Sequence, residues 1–315
     1  MRIARGDGRN ETLPPGGVVT IGNFDGLHSG QQALVGHVVQ RARQLGAPAV
    51  VLTFEPHPLA VLAPEREPPR LTSERQRQEL LAALGVDLLW LVPFDRELAS
   101  WPAERFVREL LVARLAPREV AVGSRFAFGR GREGDVALLA RLGGGLGFAV
   151  LGLAERGDEA GTVSSTRVRA AVRDGDVEGA AALLGRAYAV DGEVVAGDQR
   201  GRQIGFPTAN VRPDDSRQQL PASGVYAAEL TLLAEHRSHA GAANVGVRPT
   251  RGDDGELTLE IHLFDFERDI YGQRVELAFC RRLRAEHRFE SFDALRRQIT
   301  HDAEEAREYF RNAGR

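Results

Sequence analysis

The segment Thr20-Ile21-Gly22-Asn23-Phe24-Asp25-Gly26-Leu27-His28-Ser29-Gly30-Gln31 leaves a short apolar run, turns on three glycines and enters an amphipathic stretch. Such a turn offers exposed N–H groups and the positive end of a helix dipole to an anion. Gly22 and Gly26 let backbone approach a nucleotide closely, and His28 can donate to a phosphate. The same residues also describe an ordinary glycine-rich turn with a surface histidine. A second segment, Gly161-Thr162-Val163-Ser164-Ser165-Thr166-Arg167-Val168-Arg169, puts three hydroxyls at a helix start, followed by two arginines. That pattern suits a polyphosphate, and it equally suits a plain helix cap.

The longest motif is Gly197-Asp198-Gln199-Arg200-Gly201-Arg202-Gln203-Ile204-Gly205-Phe206-Pro207-Thr208-Ala209-Asn210. A glycine-rich loop carrying arginines can wrap a phosphate tail with its N–H groups. Thr208 and Asn210 are two apart, so in an extended segment both side chains point the same way. Their hydroxyl and amide oxygens are suitable hard ligands for Mg²⁺ already held by nucleotide phosphates. In Leu257–Phe266, Glu260 and His262 share one strand face. Glu260 can act as general base toward a substrate hydroxyl if the fold brings it beside that metal; otherwise it is a solvated strand glutamate.

Two kinds of element must position these groups. Up to about residue 184, short apolar runs (Val18–Gly22, Ala49–Phe54, Leu88–Pro93, Glu119–Gly123, Phe148–Leu153) alternate with helical stretches at Gln31–Leu45, Ser73–Leu84 and Ala103–Leu115. This predicts a doubly wound α/β domain over residues 1–184. After a small helix, Val177–Leu184, the strands Tyr188–Val195, Gly224–Leu232, Leu257–Phe266 and Val275–Phe279 follow without crossover helices. An antiparallel barrel over residues 185–315 is expected, closed by an amphipathic helix from about Phe292 to Phe310.

Composition narrows the chemistry. All 41 basic residues are arginine, which excludes a GxxxxGK[ST] phosphate loop, a protein-kinase strand lysine and a pyridoxal-phosphate Schiff base. One cysteine, Cys280, excludes an internal disulfide framework. The net charge of −3 is spread evenly, with 22 Arg against 22 acids in residues 1–184 and 19 against 22 thereafter. No nucleic-acid partner is expected from that balance. No apolar run approaches the ~20 residues of a membrane span, and the N-terminus lacks an apolar secretory stretch. A cytoplasmic enzyme without a membrane partner is the expectation, and a homo-oligomer is left open.

The glycine turn with His28, together with Ser164–Arg169, resembles the HxGH-type nucleotidyltransferase superfamily. Thr53-Phe54-Glu55-Pro56-His57-Pro58 and Phe126-Ala127-Phe128-Gly129-Arg130-Gly131-Arg132-Glu133-Gly134-Asp135 look like the FMN adenylyltransferase domain of bacterial FAD synthetases. Gly205-Phe206-Pro207-Thr208-Ala209-Asn210, Asn244-Val245-Gly246-Val247-Arg248-Pro249-Thr250 and Glu260 followed by Asp269-Ile270-Tyr271-Gly272 resemble riboflavin kinase. Together these imply a bifunctional riboflavin kinase/FMN adenylyltransferase: a Rossmann-like α/β domain followed by a β-barrel with a C-terminal helix.

The resemblance implies that riboflavin and ATP give FMN, with Glu260 accepting the ribityl hydroxyl proton and Thr208 and Asn210 positioning Mg²⁺. FMN and a second ATP would then give FAD and pyrophosphate. His28 would be catalytic there, with Gly22, Phe24, Asp25, Gly26, Gly30, Ser164, Ser165, Thr166 and Arg169 around the ATP phosphates. Gly197, Gly201, Arg202 and Gly205 would cover the kinase phosphates, and Arg125, Phe126 and Phe128 would meet the flavin of the adenylyl-transfer site. Two positions depart from the pattern: Gln31 replaces the second histidine of HxGH, and Arg125 replaces the usual Asp or Asn. Gln31 cannot become a cation, so one charged contact to the leaving pyrophosphate is missing. Two rivals follow: a kinase-only enzyme with a silent first domain, and a non-enzymatic flavin binder. Intact Glu260, Thr208 and Asn210 speak against the binder, because binding alone needs no base.

Overall fold

The computed structural model describes residues 1–8, 12–197, 205–248, 256–287 and 289–314. They form two compact units: Met1–Pro68 with Glu74–Val163, and Pro69–Ser73 with Ser164–Arg315.

The first unit is a six-stranded parallel sheet in the order β1-β4-β3-β2-β5-β6. Its strands are β1 (Arg2–Arg5), β2 (Val18–Ile21), β3 (Ala49–Glu55), β4 (Leu88–Pro93), β5 (Glu119–Gly123) and β6 (Ala149–Leu153). Alternate residues serve opposite faces: Val50 and Leu52 of β3 join Leu88 and Trp90 of β4 in one apolar cluster, while Val51 joins Leu89 and Leu91 in another. A strand covered on both sides must be apolar throughout, which is why these runs show no alternation. Strand β1 escapes sequence reading because it is an edge, with arginines at both ends and only Ala4 buried.

Helix α1 (Ser29–Leu45) packs on β2, β3 and β5, and α2 (Glu74–Ala83) falls within the expected Ser73–Leu84 stretch and buries Gln76, Arg77 and Leu81. The helical run over residues 103–115, α3, contains a π-helical stretch at Phe106–Val112. Helix α4 (Val136–Leu146), not expected from sequence, starts at Asp135, whose Oδ1 accepts from the Leu138 amide at 2.7 Å. A two-stranded ribbon, β7 (Gly157–Asp158) and β8 (Gly161–Thr162), completes the unit.

The second unit is a closed antiparallel barrel in the order β10-β13-β12-β11-β14-β9, closed by β9 pairing with β10. Its strands are β9 (Tyr188–Val195), β10 (Ala209–Pro213), β11 (Gly224–Leu232), β12 (Arg237–Arg248), β13 (Glu256–Leu263) and β14 (Arg274–Ala285). Strand β12 was not expected. Its Gly241 lies where a Cβ would come within 2.4 Å of the His262 carbonyl, so a residue that reads as a turn is required by close strand approach.

Helices α5 (Ser165–Asp174) and α6 (Val177–Leu184) belong to this unit, which differs from the division expected at 184/185. The reason is local bonding. Gln219 Nε2 donates to the Arg169 carbonyl at 2.8 Å, Arg282 Nη1 donates to the Asp174 carbonyl at 3.1 Å, and Val177 and Leu184 are fully buried. The Pro69–Ser73 segment is also built in: the Arg70 amide donates to the Arg217 carbonyl, and the Ser73 hydroxyl donates to the buried Asp191. The terminal helix α7 (Phe292–Asn312) lays Ala303, Ala306 and Phe310 against Ala227 and Cys280 of the barrel.

Candidate active sites

In the first unit the opening for a ligand comes from register. Strand β2 pairs with β3 through Ile21–Leu52, but with β5 only at Val18–Glu119 and Val19–Val120. Beyond Val19 the two strands part, at the point where the strand order reverses. Crevices at the carboxyl ends of such strands are the binding position of doubly wound sheets.

The Gly22–His28 loop leaves β2 at that point with an unusual backbone. Phe24 (φ 46°) and Leu27 (φ 41°) both lie in the left-handed region, flanking Gly26 (φ 85°). Two such non-glycine residues cost of order 1–3 kcal/mol each. Both side chains are buried in the apolar cluster with Val35 and Val51, which offsets that cost by about 1.5–3 kcal/mol each. Packing therefore holds the loop in a conformation it would not adopt alone. At Gly22 a Cβ would sit 3.2 Å from the Phe24 ring, a tight approach that the ring would have to yield to.

His28 is the N-cap of α1, and its Nδ1 accepts from the Gln31 amide at 3.4 Å. The proton of the neutral ring therefore sits on Nε2. Burial lowers the His28 pKa to about 4, against an opposing pull from Glu155. At neutral pH this residue is an uncharged donor rather than a cation. Asp25 is half-buried in the same loop, and Gly30 faces the His28 ring. Gln31 keeps Oε1 buried without a partner among the described residues.

Neighbouring strand ends meet this loop. The Asn23 amide lies 3.0 Å from His57 Nε2, and Thr53 Oγ1 donates to the Asn23 carbonyl at 3.2 Å. His57 Nδ1 caps the single turn Pro58–Leu62. After β5, Arg125 pairs with Glu155, the carboxylate that acts on His28. Phe126 stacks on Phe128 at 5.4 Å between centroids, and Phe128 packs against Phe106 at 5.5 Å. Phe128 is core, whereas half-buried Phe126 keeps a ring partly open.

In the second unit, Ser164 caps α5 by accepting from the Arg167 amide at 3.3 Å, with Ser165 and Thr166 in the first turn. Arg169 donates Nε to the Pro69 carbonyl at 2.7 Å. The barrel brings Thr208, Asn210 and Glu260 together. Asn210 and Glu260 are direct partners across β10 and β13, and Thr208 Oγ1 donates to Glu260 Oε2 at 3.3 Å. Asn244 of β12 flanks Glu260 on the other side. A Cβ on Gly197 would fall 2.1 Å from Asn210 Nδ2, so the missing side chain leaves Asn210 its place. Gly205 has φ 86°; Gly201 and Arg202 lie outside the described residues.

Thr208 lines two cavities. One, of about 840 Å³, holds Glu260, Asn244 and His262 and is walled by Phe206 and by Leu295 and Ile299 of α7. The other, of about 400 Å³, is lined by Val194, Ile261, Ile270 and Tyr271. Thr208 is common to both linings, while Glu260 and His262 of β13 line the first and the alternate residues Ile261 and Leu263 line the second. Sequence reading missed Glu155 and gave no role to Asn23 and Asn244, although both stand in its motifs, because their contacts depend on pairings between distant segments. Among the described residues, no cluster of three or more His, Cys, Asp or Glu side chains could hold a metal, and no helix is long and apolar enough to cross a membrane.

Comparison with known proteins places both halves. Residues 10–167 match the family model described as FAD synthetase, and residues 184–310 match the one described as riboflavin kinase. The chain is 42% identical to the bifunctional riboflavin kinase/FMN adenylyltransferase of Escherichia coli (strain K12), over 98% of each chain. It is 39% identical to the protein of that name from Haemophilus influenzae, over 98% of this chain and 99% of that one. A crystal structure titled as a macrolide-efflux protein from Streptococcus pneumoniae superposes with a TM-score of 0.88 at 31% identity, covering 98% and 99% of the two chains.

Proposed function

The chain belongs to the bifunctional riboflavin kinase/FMN adenylyltransferase family, and from that premise we propose which residues carry each of its two reactions. It phosphorylates riboflavin to FMN and adenylylates FMN to FAD, with ATP as co-substrate of both steps. We assign the adenylyl transfer to residues 1–184 and the kinase to residues 185–315.

In the kinase, Glu260 is the general base that takes the ribityl hydroxyl proton. Riboflavin occupies the larger cavity, on the Glu260 side of Thr208, and ATP the smaller one. This reading is carried by the contact with Glu260 of Thr208, a residue that lines both cavities. The donor set of a hydroxyl, an amide and a carboxylate fits a Mg²⁺ brought in by the nucleotide. Thr208 and Asn210 would hold that ion, which supplies charge neutralisation at the phosphate oxygens. Gly197, Gly201, Arg202 and Gly205 are further phosphate ligands of the kinase in this proposal.

In the adenylyltransferase, FMN phosphate is already an anionic nucleophile and needs no base. His28 donates Nε2–H to phosphate oxygen, while Gly22, Phe24, Asp25, Gly26 and Gly30 shape the anion cradle. Ser164, Ser165, Thr166 and Arg169 are further phosphate ligands by their hydroxyls and charge. Phe126 stacks against the flavin with Phe128 behind it, and Arg125 tempers the Glu155 charge beside His28. The even charge distribution supports small-molecule substrates over a nucleic-acid partner.

The test is flavin separation after incubation with ATP and Mg²⁺. Wild type converts riboflavin to FMN and FAD. Glu260→Gln lowers FMN formation by ~10²–10⁴-fold, the usual loss of a general base, while FAD formation from supplied FMN continues. Kinase turnover near wild type in that variant would remove Glu260 from the mechanism.

A further inference from the structure

Thr208 lines both cavities, yet strand β10 begins only one residue later, at Ala209. The β10–β13 ladder runs from Asn210–Glu260 to Ala209–Ile261 and stops. The next residues toward the loop are Thr208 and Pro207, and proline has no N–H to donate to a ladder. Its carbonyl still needs a partner. That partner is His262, whose Nδ1 lies 2.8 Å from the Pro207 oxygen. Since a carbonyl can only accept, Nδ1 carries the proton and Nε2 is the bare nitrogen of the neutral ring.

The ring is itself fixed. Phe206 meets it edge-on at 5.3 Å and Phe264 at 5.9 Å. Strand β13 therefore grips the segment at two adjacent points: Glu260 takes the Thr208 hydroxyl and His262 binds the carbonyl immediately before it. We propose that His262 is a positioning residue of the kinase, a side-chain continuation of the strand ladder that sets Thr208 against Glu260. It acts through Pro207 and transfers no proton. The inference rests on the assignment of Glu260 and Thr208 to phosphoryl transfer.

The experiment uses the full chain and three variants, Glu260→Gln, His262→Ala and His262→Asn. An asparagine amide reaches about where Nδ1 lies and can donate to the same carbonyl. His262→Ala is expected to lower kcat for FMN formation by about 10–100-fold, the range for a misplaced reacting group, with riboflavin KM changed less than threefold. FAD formation from supplied FMN and the thermal midpoint should stay at wild-type values. His262→Asn should recover kcat to within about threefold, with the pH profile of kcat superimposable on wild type. Unchanged kcat in His262→Ala overturns the proposal, as does failure of His262→Asn to recover. A pH profile that loses a limb in His262→Asn also overturns it, because it would make the imidazole a proton carrier. Full kinase activity in Glu260→Gln would sink the underlying assignment instead, whatever the His262 variants do. If His262→Ala fails to fold, His262→Asn alone decides.

Discussion

On the roles proposed above, the described parts of the two sites are built differently. The adenylyl-transfer cradle is made mostly of backbone: a loop with three positive φ angles in four residues, pinned by buried Phe24 and Leu27, with a histidine kept neutral at its end. The kinase site is made of side chains, Thr208, Asn210 and Glu260, set by register on two barrel strands. A backbone cradle spreads recognition over several N–H groups, so one altered side chain weakens it by degrees. A site that hinges on one carboxylate fails when that carboxylate changes. On that assignment the two reactions differ in how sharply one substitution should affect them.

The boundary between the halves gives the largest expected effect. Fragments of residues 164–315 and 185–315 differ by α5 and α6, which bury Val177, Leu183 and Leu184. At about 1.5–3 kcal/mol per buried side chain, the shorter fragment should be less stable by about 5 kcal/mol in urea unfolding. Equal midpoints would move the structural boundary back to Gly185.

One methyl group in each loop sharpens the contrast. Gly197→Ala puts a Cβ into the Asn210 amide and should cut FMN formation about 10–100-fold, leaving FAD formation from FMN intact. Gly26→Ala adds about 1–2 kcal/mol of left-handed strain to the cradle and should slow FAD formation about tenfold. Initial rates with riboflavin and with FMN read both, and a Gly26→Ala loss beyond the Gly197→Ala loss would reverse the comparison.

Gln31 tests the missing charge. A histidine there could give a charge-assisted bond of ~1.5–3 kcal/mol in place of a neutral one of ~0.5–1.5. Gln31→His should raise FAD formation up to about tenfold and leave the kinase unchanged; slower FAD formation would mean that another group already supplies the charge.

The smallest effect is in pH. Burial sets the His28 pKa to about 4, below its ordinary 6.5, so the unfolded chain binds the proton first as pH falls. This group adds no penalty above pH 6.5; between 6.5 and about 4 it progressively destabilises the fold. From pH 7 to 5.5 the loss is about 1 kcal/mol, and His28→Gln should remove it. Urea midpoints at the two pH values decide: a slope unchanged in the variant would place the buried proton elsewhere.

Much of this was legible in the residues because the apolar runs report burial directly. Val50–Leu52 and Leu88–Val92 are strands because both their faces are covered. Strand β1 was illegible for the converse reason, and β12 because Gly241 and its small neighbours record strand proximity rather than a turn. At the sites, spacing exposed Thr208 and Asn210, and the alternation of β13 put Glu260 beside His262. It could not show that Pro207 leaves a carbonyl for that histidine, nor that Arg125 meets Glu155, since both depend on pairings between distant segments. The place of Ser164–Leu184 was hidden in the same way, in bonds to Gln219 and Arg282.

The Pro69–Ser73 segment has a consequence in time. Ser73 bonds Asp191, 118 residues later, and the Leu71 carbonyl accepts from Gln218, 147 residues later. A ribosome adding about 5–20 residues per second would deliver those partners roughly 6–30 s after the segment itself. During that interval the segment, flanked on both sides by chain of the first unit, waits for a barrel not yet made. The barrel half then finishes around a strip that was synthesised before any of its strands. A kinase made from a gene that begins at its own first strand would have to complete itself without that strip.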